Sequence, residues 1–455
     1  MVNKKFSAFR VFGVLSALAL FSGCSDPEST RKSLGDFFTM YDAEESSIDR
    51  GAPLSHYIEN NIPIEIAAVW NSDALTDEFW LGVQLAADEI NAMPSDRFPE
   101  VKINQIDAAP FLASANYKQS YDGRYRNAAQ VAASGIAEKI LENHANVAVV
   151  GHAYADQTAT NALLSYERAG ILFLASTSTA ERFSGMKAPL AFQLFPTITT
   201  ISERAATFAK SAGVKRLIII QQRSIYGSSE DPIPNFLKHL AKTGIDPIEI
   251  FSFQAKAGDN TATVARVTQE LVKKLKPENL LSNSGLKQES AAEPGETGLF
   301  LLVEHELAML IFKQLEMLKM TPPMLAASRL DAYEKVEKDM YAGFTFIDIY
   351  APDRSLIAKR FSESFKKRFP DYEVTNYAAL GYDHLRFLYT AFLCAESTDP
   401  GSVALNIRYH MPTWYGATGP YNFNQSYRNL EHSTVIFRQF REGEDGKLKI
   451  VTLDK

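Results

Sequence analysis

The chain has 455 residues, 46% of them hydrophobic and 22% charged, an ordinary globular composition with length for two or three compact units. Its formal net charge of -7 is mild and both signs are interspersed along it, which sets aside a nucleic-acid surface or another polyanion as partner.

At the start, Lys4, Lys5 and Arg10 precede an apolar run from Val11 to Phe21, which ends in Ser22-Gly23-Cys24. A basic beginning, a short apolar core and small residues after it make an export signal. The run is about 11 residues long, roughly half of what a helix needs to cross a bilayer, which argues against a retained membrane span. Ser22-Gly23-Cys24 resembles the lipobox of bacterial lipoproteins, in which Cys24 would be diacylated and become the mature N-terminus; an ordinary cleaved signal with a chance cysteine is the alternative. With Cys24 acylated, Cys394 has no partner, and the exported body rests on its core. Ser25 follows, where an aspartate would retain the protein at the inner membrane of enteric-type bacteria, so an outer-membrane anchor facing the periplasm fits that rule. Residues 25 to 60 are polar and irregular, with an acidic stretch Asp42-Ala43-Glu44-Glu45, and read as a tether with one short helix near Phe37 to Tyr41.

From Ile62 the pattern changes. Strands are expected at Ile64–Val69, Val101–Ile106, Val147–Val150 and Leu172–Ala175, separated by helices at Glu78–Asn91, Asn127–Asn143, Thr158–Arg168 and Thr199–Ser211. The strands are short apolar runs without alternation, as a parallel sheet covered on both faces requires. A second series follows, with strands at Leu217–Gln221, Ile248–Phe253, Leu299–Val303, Met324–Ala327 and Gly343–Ile349, and helices at Asp231–Thr243, Thr261–Leu275 and Glu306–Leu318. Residues 280 to 297 lack periodicity and read as a surface insertion. Two more helices, Ser355–Phe369 and Asn376–Cys394, precede a tail in which Tyr421–Phe423 and Val435–Phe440 read as a hairpin.

The order of these elements and several local phrases resemble the type I periplasmic solute-binding proteins, in particular the branched-chain amino acid receptor group. The phrases are Leu81-Gly82-Val83-Gln84-Leu85-Ala86 with Glu89-Ile90-Asn91, Ala148-Val149-Val150-Gly151-His152, Gly170 through Thr179, Tyr226-Gly227, Ala378-Ala379-Leu380-Gly381-Tyr382-Asp383, and Thr418-Gly419-Pro420-Tyr421-Asn422-Phe423. The resemblance implies two doubly wound, Rossmann-like α/β lobes joined by a three-crossing hinge. Residues 61–195 plus 353–412 would form the first lobe, and 196–352 plus 413–455 the second. A ligand would sit between lobes at the carboxyl ends of strands.

The resemblance also implies site residues. Ser176, Thr177, Ser178 and Thr179 match the loop whose hydroxyls and amides hold a ligand carboxylate, although hydroxyls at a helix start are also common caps. The stretch His152 to Gln157 matches the other carboxylate loop; Ala155 stands where amino acid binders usually carry serine, so only backbone amides could serve there. Tyr226 matches the tyrosine that covers the ligand from the second lobe. Where the family commonly places an acid for the ligand's ammonium, this chain has Ser328-Arg329-Leu330, and a guanidinium prefers a carboxylate or phosphate. Either Asp331, or Glu304 and Glu306, takes over the ammonium, or the ligand is not an α-amino acid. Trp70 and Asn71 follow the first strand and point at the crevice by topology, with Trp70 as core packing the alternative; Tyr154 and Phe183 are further lining candidates.

Nothing in the sequence has the pattern of a catalytic nucleophile with its base, a metal cluster or a phosphate loop, so no enzyme, cofactor or metal is implied. The expected function is a lipid-anchored periplasmic receptor that captures a small molecule for an ABC permease. A sensory lipoprotein that reports cleft closure to a membrane signalling partner, and an interaction protein with an unused cleft, are the rival readings. Labelled palmitate is expected to enter the full-length chain expressed in a Gram-negative host and to be absent from Cys24→Ala, which should leave the membrane fraction.

Overall fold

The computed structural model describes residues 50–72, 77–114, 124–152, 156–181, 188–223, 232–254, 261–275, 297–303, 305–318, 322, 324–326, 343–423, 434–444, 446 and 448–453. Apolar runs build a first sheet from β1 (Ile64–Trp70), β2 (Val101–Asp107), β3 (Asn146–Gly151), β4 (Leu172–Ala175) and β5 (Ala191–Gln193), all parallel, in the order β2-β1-β3-β4-β5. Every residue of β3 and β4 is buried, because helices cover both faces. Glu78–Asn91, Leu356–Arg368, Asn376–Ala395 and Pro400–Tyr409 pack on one face, and Arg124–Leu141 and Asp156–Arg168 on the other.

A second sheet repeats the plan. Its parallel strands β6 (Arg216–Arg223), β7 (Asp246–Gln254), β8 (Thr297–Leu302), β9 (Met324–Ala326) and β10 (Thr345–Asp348) lie in the order β7-β6-β8-β9-β10. Thr261–Leu275 and His305–Met317 cover one face, and Ile198–Ser211 and Pro232–Thr243 the other. The fold is thus α/β with two doubly wound sheets. The chain passes between them three times: after β5, after β10, and through the tail that follows Pro400–Tyr409.

Three local expectations are revised. The tail hairpin between Tyr421–Phe423 and Val435–Phe440 does not form. Instead β11 (Trp414–Tyr415) pairs with β12 (Pro420–Tyr421), because Gly416 and Gly419 exchange backbone hydrogen bonds of 2.8 and 3.3 Å and close a tight turn, with Gly419 at a φ of 127°. β13 (Ile436–Glu442) runs antiparallel to β10 and to β14 (Leu448–Thr452), filling the edge that β10 offers. The stretch read as tether up to residue 60 is folded from Arg50. Leu54 and Tyr57 of the helix Leu54–Asn60 join the first core, and buried Arg50 donates to the carbonyls of Ala169, His144 and Asn146 at 2.9, 3.4 and 3.2 Å. The helix Pro400–Tyr409, capped by Asp399 with Pro400 in its first turn, was not anticipated. The insertion at 280–296 and the helix near Phe37 lie outside the described residues.

The helices Glu78–Asn91 and Asn376–Ala395 pack at backbone distance. A Cβ at Gly82 would stand 2.0 Å from the Ala378 carbonyl oxygen, and one at Gly381 would stand 2.2 Å from that of Phe79. Both contacts are to backbone, so neither can yield without parting the helices. Gly82→Ala and Gly381→Ala are each expected to lower stability by at least about 2 kcal/mol, read as a lower urea midpoint at unchanged m.

Candidate ligand-binding site

Open parallel sheets bind ligands outside the carboxyl ends of their strands where the strand order reverses. In the first sheet that point lies between β1 and β3, and the segments there are Trp70–Ser72, Gly151–His152 and Ser176–Thr179. Gly151 adopts a φ of 119°, and a Cβ on it would lie 2.0 Å from the Val69 carbonyl oxygen, so this close crossing of β1 and β3 accepts only glycine. His152 continues in the left-handed region at a φ of 67° and donates its amide to Val69 at 2.8 Å. Its ring turns into the core, with Nε2 2.8 Å from the Tyr166 hydroxyl and Nδ1 3.4 Å from Thr158 Oγ1. Burial pushes His152 down to about 3, so the ring is neutral and serves to seat the turn.

The loop after β4 is held on all sides. The Ser176 amide donates to the Gly151 carbonyl at 2.9 Å, and the Thr177 hydroxyl donates to the His152 carbonyl at 3.1 Å, which binds the two crevice loops to each other. Gln193 Nε2 donates to the Ser178 carbonyl at 2.6 Å, and the Ile198 amide donates to that of Thr179 at 2.9 Å. Ser176 and Ser178 are fully buried, whereas Thr177 and Thr179 are partly exposed. The Ser176 hydroxyl lies 2.6 Å from His384 Nδ1, beneath the loop. Trp70 takes the core alternative: it is 1% exposed, stacked on Phe79 at 3.9 Å and edge-on to Tyr377 at 5.5 Å. Asn71 follows it, partly exposed.

Tyr154, Ala155, Phe183, Tyr226, Glu304, Arg329 and Asp331, and the side chain of Glu306, lie outside the described residues. In the chain, Tyr226 comes shortly after β6 and Glu304 shortly after β8, the two strands that flank the reversal of order in the second sheet. Among the described residues no group of three histidine, cysteine or acidic side chains is placed to hold a metal ion.

The crossings are fastened by two buried aspartates. Asp348, at the end of β10, accepts from Arg438 Nη1 at 3.0 Å, from the amides of Ile349 and Tyr350 at 2.7 and 3.3 Å, and from Asn376 Nδ2 at 3.1 Å. It joins the second sheet, the second crossing and the first-lobe helix Asn376–Ala395. Asp383, on that helix, accepts from the amides of Ala417 and Thr418 at 2.8 and 2.7 Å and from the Thr418 hydroxyl at 2.6 Å, pinning the third crossing. Since Thr418 donates to Asp383, Tyr421 donates its hydroxyl to Thr418 Oγ1, 2.7 Å away.

The family model described as periplasmic binding protein matches residues 120–445. The chain belongs to the periplasmic binding protein family. An ABC transporter substrate-binding protein from Desulfitobacterium hafniense, solved with leucine, is 19% identical, with a TM-score of 0.63 over 86% of this chain and 100% of that one. The leucine-binding protein LivK of Thermotoga maritima is 17% identical, with a TM-score of 0.63 over 85% and 97%. A solute-binding protein of Rhodopseudomonas palustris, solved with 3,4-dihydroxybenzoic acid, is 13% identical, with a TM-score of 0.64 over 86% and 96%. A search of curated proteins finds no match.

In this periplasmic binding protein the groups that sequence reasoning missed are Asp348, Arg438, Gln193 and His384. Asp383 was visible only as part of a phrase. Burial pushes Asp383 up to about 6, while the hydroxyl and amide of Thr418 and the amide of Ala417 pull the other way. Its pKa exceeds the unfolded value of 3.8, so the folded state takes up this proton first and the group adds stability as pH falls from 7 toward 4. The neutral histidines His152 and His384, both held at about 3, act in the opposite sense, losing stability as pH falls through the unfolded value of 6.5. The comparison with Asp383→Asn isolates the carboxyl: between pH 7 and pH 5 the wild type should gain about 1 kcal/mol relative to the variant in urea unfolding.

Proposed function

We propose that this periplasmic binding protein is a lipid-anchored receptor that captures a small polar ligand, an amino acid or a related small carboxylate or amide, and delivers it to an ABC importer. The observation that carries the reading is the crevice loop Ser176–Thr179, which presents the partly exposed Thr177 and Thr179 at the reversal point of the first sheet, its backbone held by three hydrogen bonds to neighbouring segments and its Thr177 side chain by a fourth. A loop fixed before its ligand arrives loses less conformational freedom on binding.

Similar folds support a carboxylate as the chemical class of the ligand. Proteins solved with leucine, isoleucine, 3,4-dihydroxybenzoic acid and benzoate share this fold, and each of those ligands carries a carboxylate. Thr179 would receive that group with its hydroxyl and amide and Thr177 with its amide, the Thr177 hydroxyl being given to the His152 carbonyl, joined by amides around Tyr154 and Ala155. Tyr226 would cover the ligand from the second lobe. Arg329 favours a further anionic group or a ligand without an ammonium, whereas Glu304 or Asp331 would serve an amino acid. Cys24 would carry the lipid that keeps the body in the periplasm at a membrane surface, with the cytoplasmic energy supply left to the permease.

The test is thermal unfolding of the mature chain from Ser25 against amino acids, benzoates, small amides and nucleobases. One class should give a saturable rise, about 2.7 kcal/mol of stabilisation at a hundredfold excess over Kd. Thr179→Ala and Tyr226→Ala should each weaken it at least tenfold. A well-folded chain that responds to nothing would sink the receptor reading and favour a lipoprotein that signals by protein contact.

A further inference from the structure

His384 has no part in the reading above, yet it occupies a singular position. It is fully buried on the helix Asn376–Ala395, and its Nδ1 lies 2.6 Å from the hydroxyl of Ser176, the first residue past β4. Its ring meets that of Tyr421 edge-on at 6.1 Å. Tyr421 belongs to the third crossing and donates to Thr418, which in turn donates to Asp383, the neighbour of His384 on the helix. Phe387, one turn further along, stacks on Tyr421 at 5.4 Å. One helical turn therefore touches the crevice loop on one side and the hinge on the other.

A buried imidazole in such a place needs a reason. Burial holds it near 3, so it is neutral throughout the physiological range and cannot act as a proton switch. Its Nε2 has no hydrogen-bond partner among the described residues, a penalty that an apolar side chain of similar size would avoid. What an apolar side chain could not provide is the directional bond to Ser176. That bond acts on a residue whose amide is already fixed to Gly151, so it decides how the chain leaves β4 toward Thr177 and Thr179.

We propose that His384 is a positioning residue: through Ser176 it holds the crevice loop in its receiving conformation and ties that loop to the third crossing, so that loop and hinge keep one geometry. The proposal rests on the reading that residues 176–179 receive the ligand, but its first test does not. Amide hydrogen exchange of the mature, ligand-free protein is measured at 176–181 and 416–421 for the wild type, His384→Ala, His384→Asn and Ser176→Ala. An asparagine amide stands close to where Nδ1 was and can bond Ser176 again.

The expected result is at least tenfold faster exchange in both segments of His384→Ala, return toward wild type in His384→Asn, and faster exchange at 416–421 in Ser176→Ala, although that change touches only the loop. Unaltered protection at 416–421 in Ser176→Ala, or an asparagine variant as loose as the alanine one, would overturn the proposal. Should His384→Ala not fold, Ser176→Ala and His384→Asn carry the test by themselves. Calorimetry with L-leucine and benzoate adds the functional arm: whichever probe binds the wild type should bind Ser176→Ala at least tenfold more weakly. If neither probe binds the wild type, the choice of ligand class is at fault and the exchange result still decides the role of His384.

Discussion

The backbone-distance contact between the helices Glu78–Asn91 and Asn376–Ala395 is the constraint on which the remaining structure depends. Gly82 and Gly381 let each helix set a carbonyl where a side chain would otherwise stand. The second helix is thereby buried almost all round, with thirteen of its residues out of solvent. Polar side chains on such a helix cannot turn to water, so each must find a protein partner or leave a buried group unpaired. Asn376, Asp383 and His384 find theirs on three different segments: β10, the third crossing and the crevice loop. Sequence neighbours on one helix thus bring together parts of the chain that lie up to 208 positions away.

The two hinge aspartates solve the burial of charge in different ways. Asp348 has a guanidinium beside it, and Arg438 and Asp348 form a fully desolvated pair whose remaining lone pairs meet amides and Asn376. Asp383 is held instead by amide and hydroxyl dipoles of the third crossing, and burial raises the pKa of both carboxyls against the pull of these partners. Buried directional bonds of this kind contribute more to a single geometry than to net stability. Here they fix the course of two of the segments that run between the sheets.

The two sheets share the order 2-1-3-4-5 in their parallel strands, so each half has a reversal of order. In the first half the glycine at Gly151 and the left-handed His152 open that end, and the bonds from Thr177 and Gln193 keep it shaped. The second sheet continues past this plan with β13 and β14, which protect the edge of β10 that a doubly wound half would leave bare.

Much of this was legible in the sequence. The apolar runs at Ile64–Val69 and Leu172–Ala175 and the periodic Thr261–Leu275 declare strand or helix through their own spacing, and their alternation dictates parallel sheets, because short runs without polar alternation need cover on both faces. The phrases around Gly82, Gly151 and Gly381 pointed to the family. What only the tertiary structure decided is which way a side chain turns once its backbone is placed. Ser176 and Thr177 are adjacent and chemically alike, yet one hydroxyl goes beneath the loop to His384 and the other across it to His152. Trp70 could have faced the crevice, but Phe79 and Tyr377 offered it a stack. The tail hairpin was misplaced for the same reason: antiparallel pairing depends on which edge is available, and β10 supplies one that no local pattern announces. Periodicity is a property of a segment and can be read from it, whereas partner choice belongs to the assembled fold.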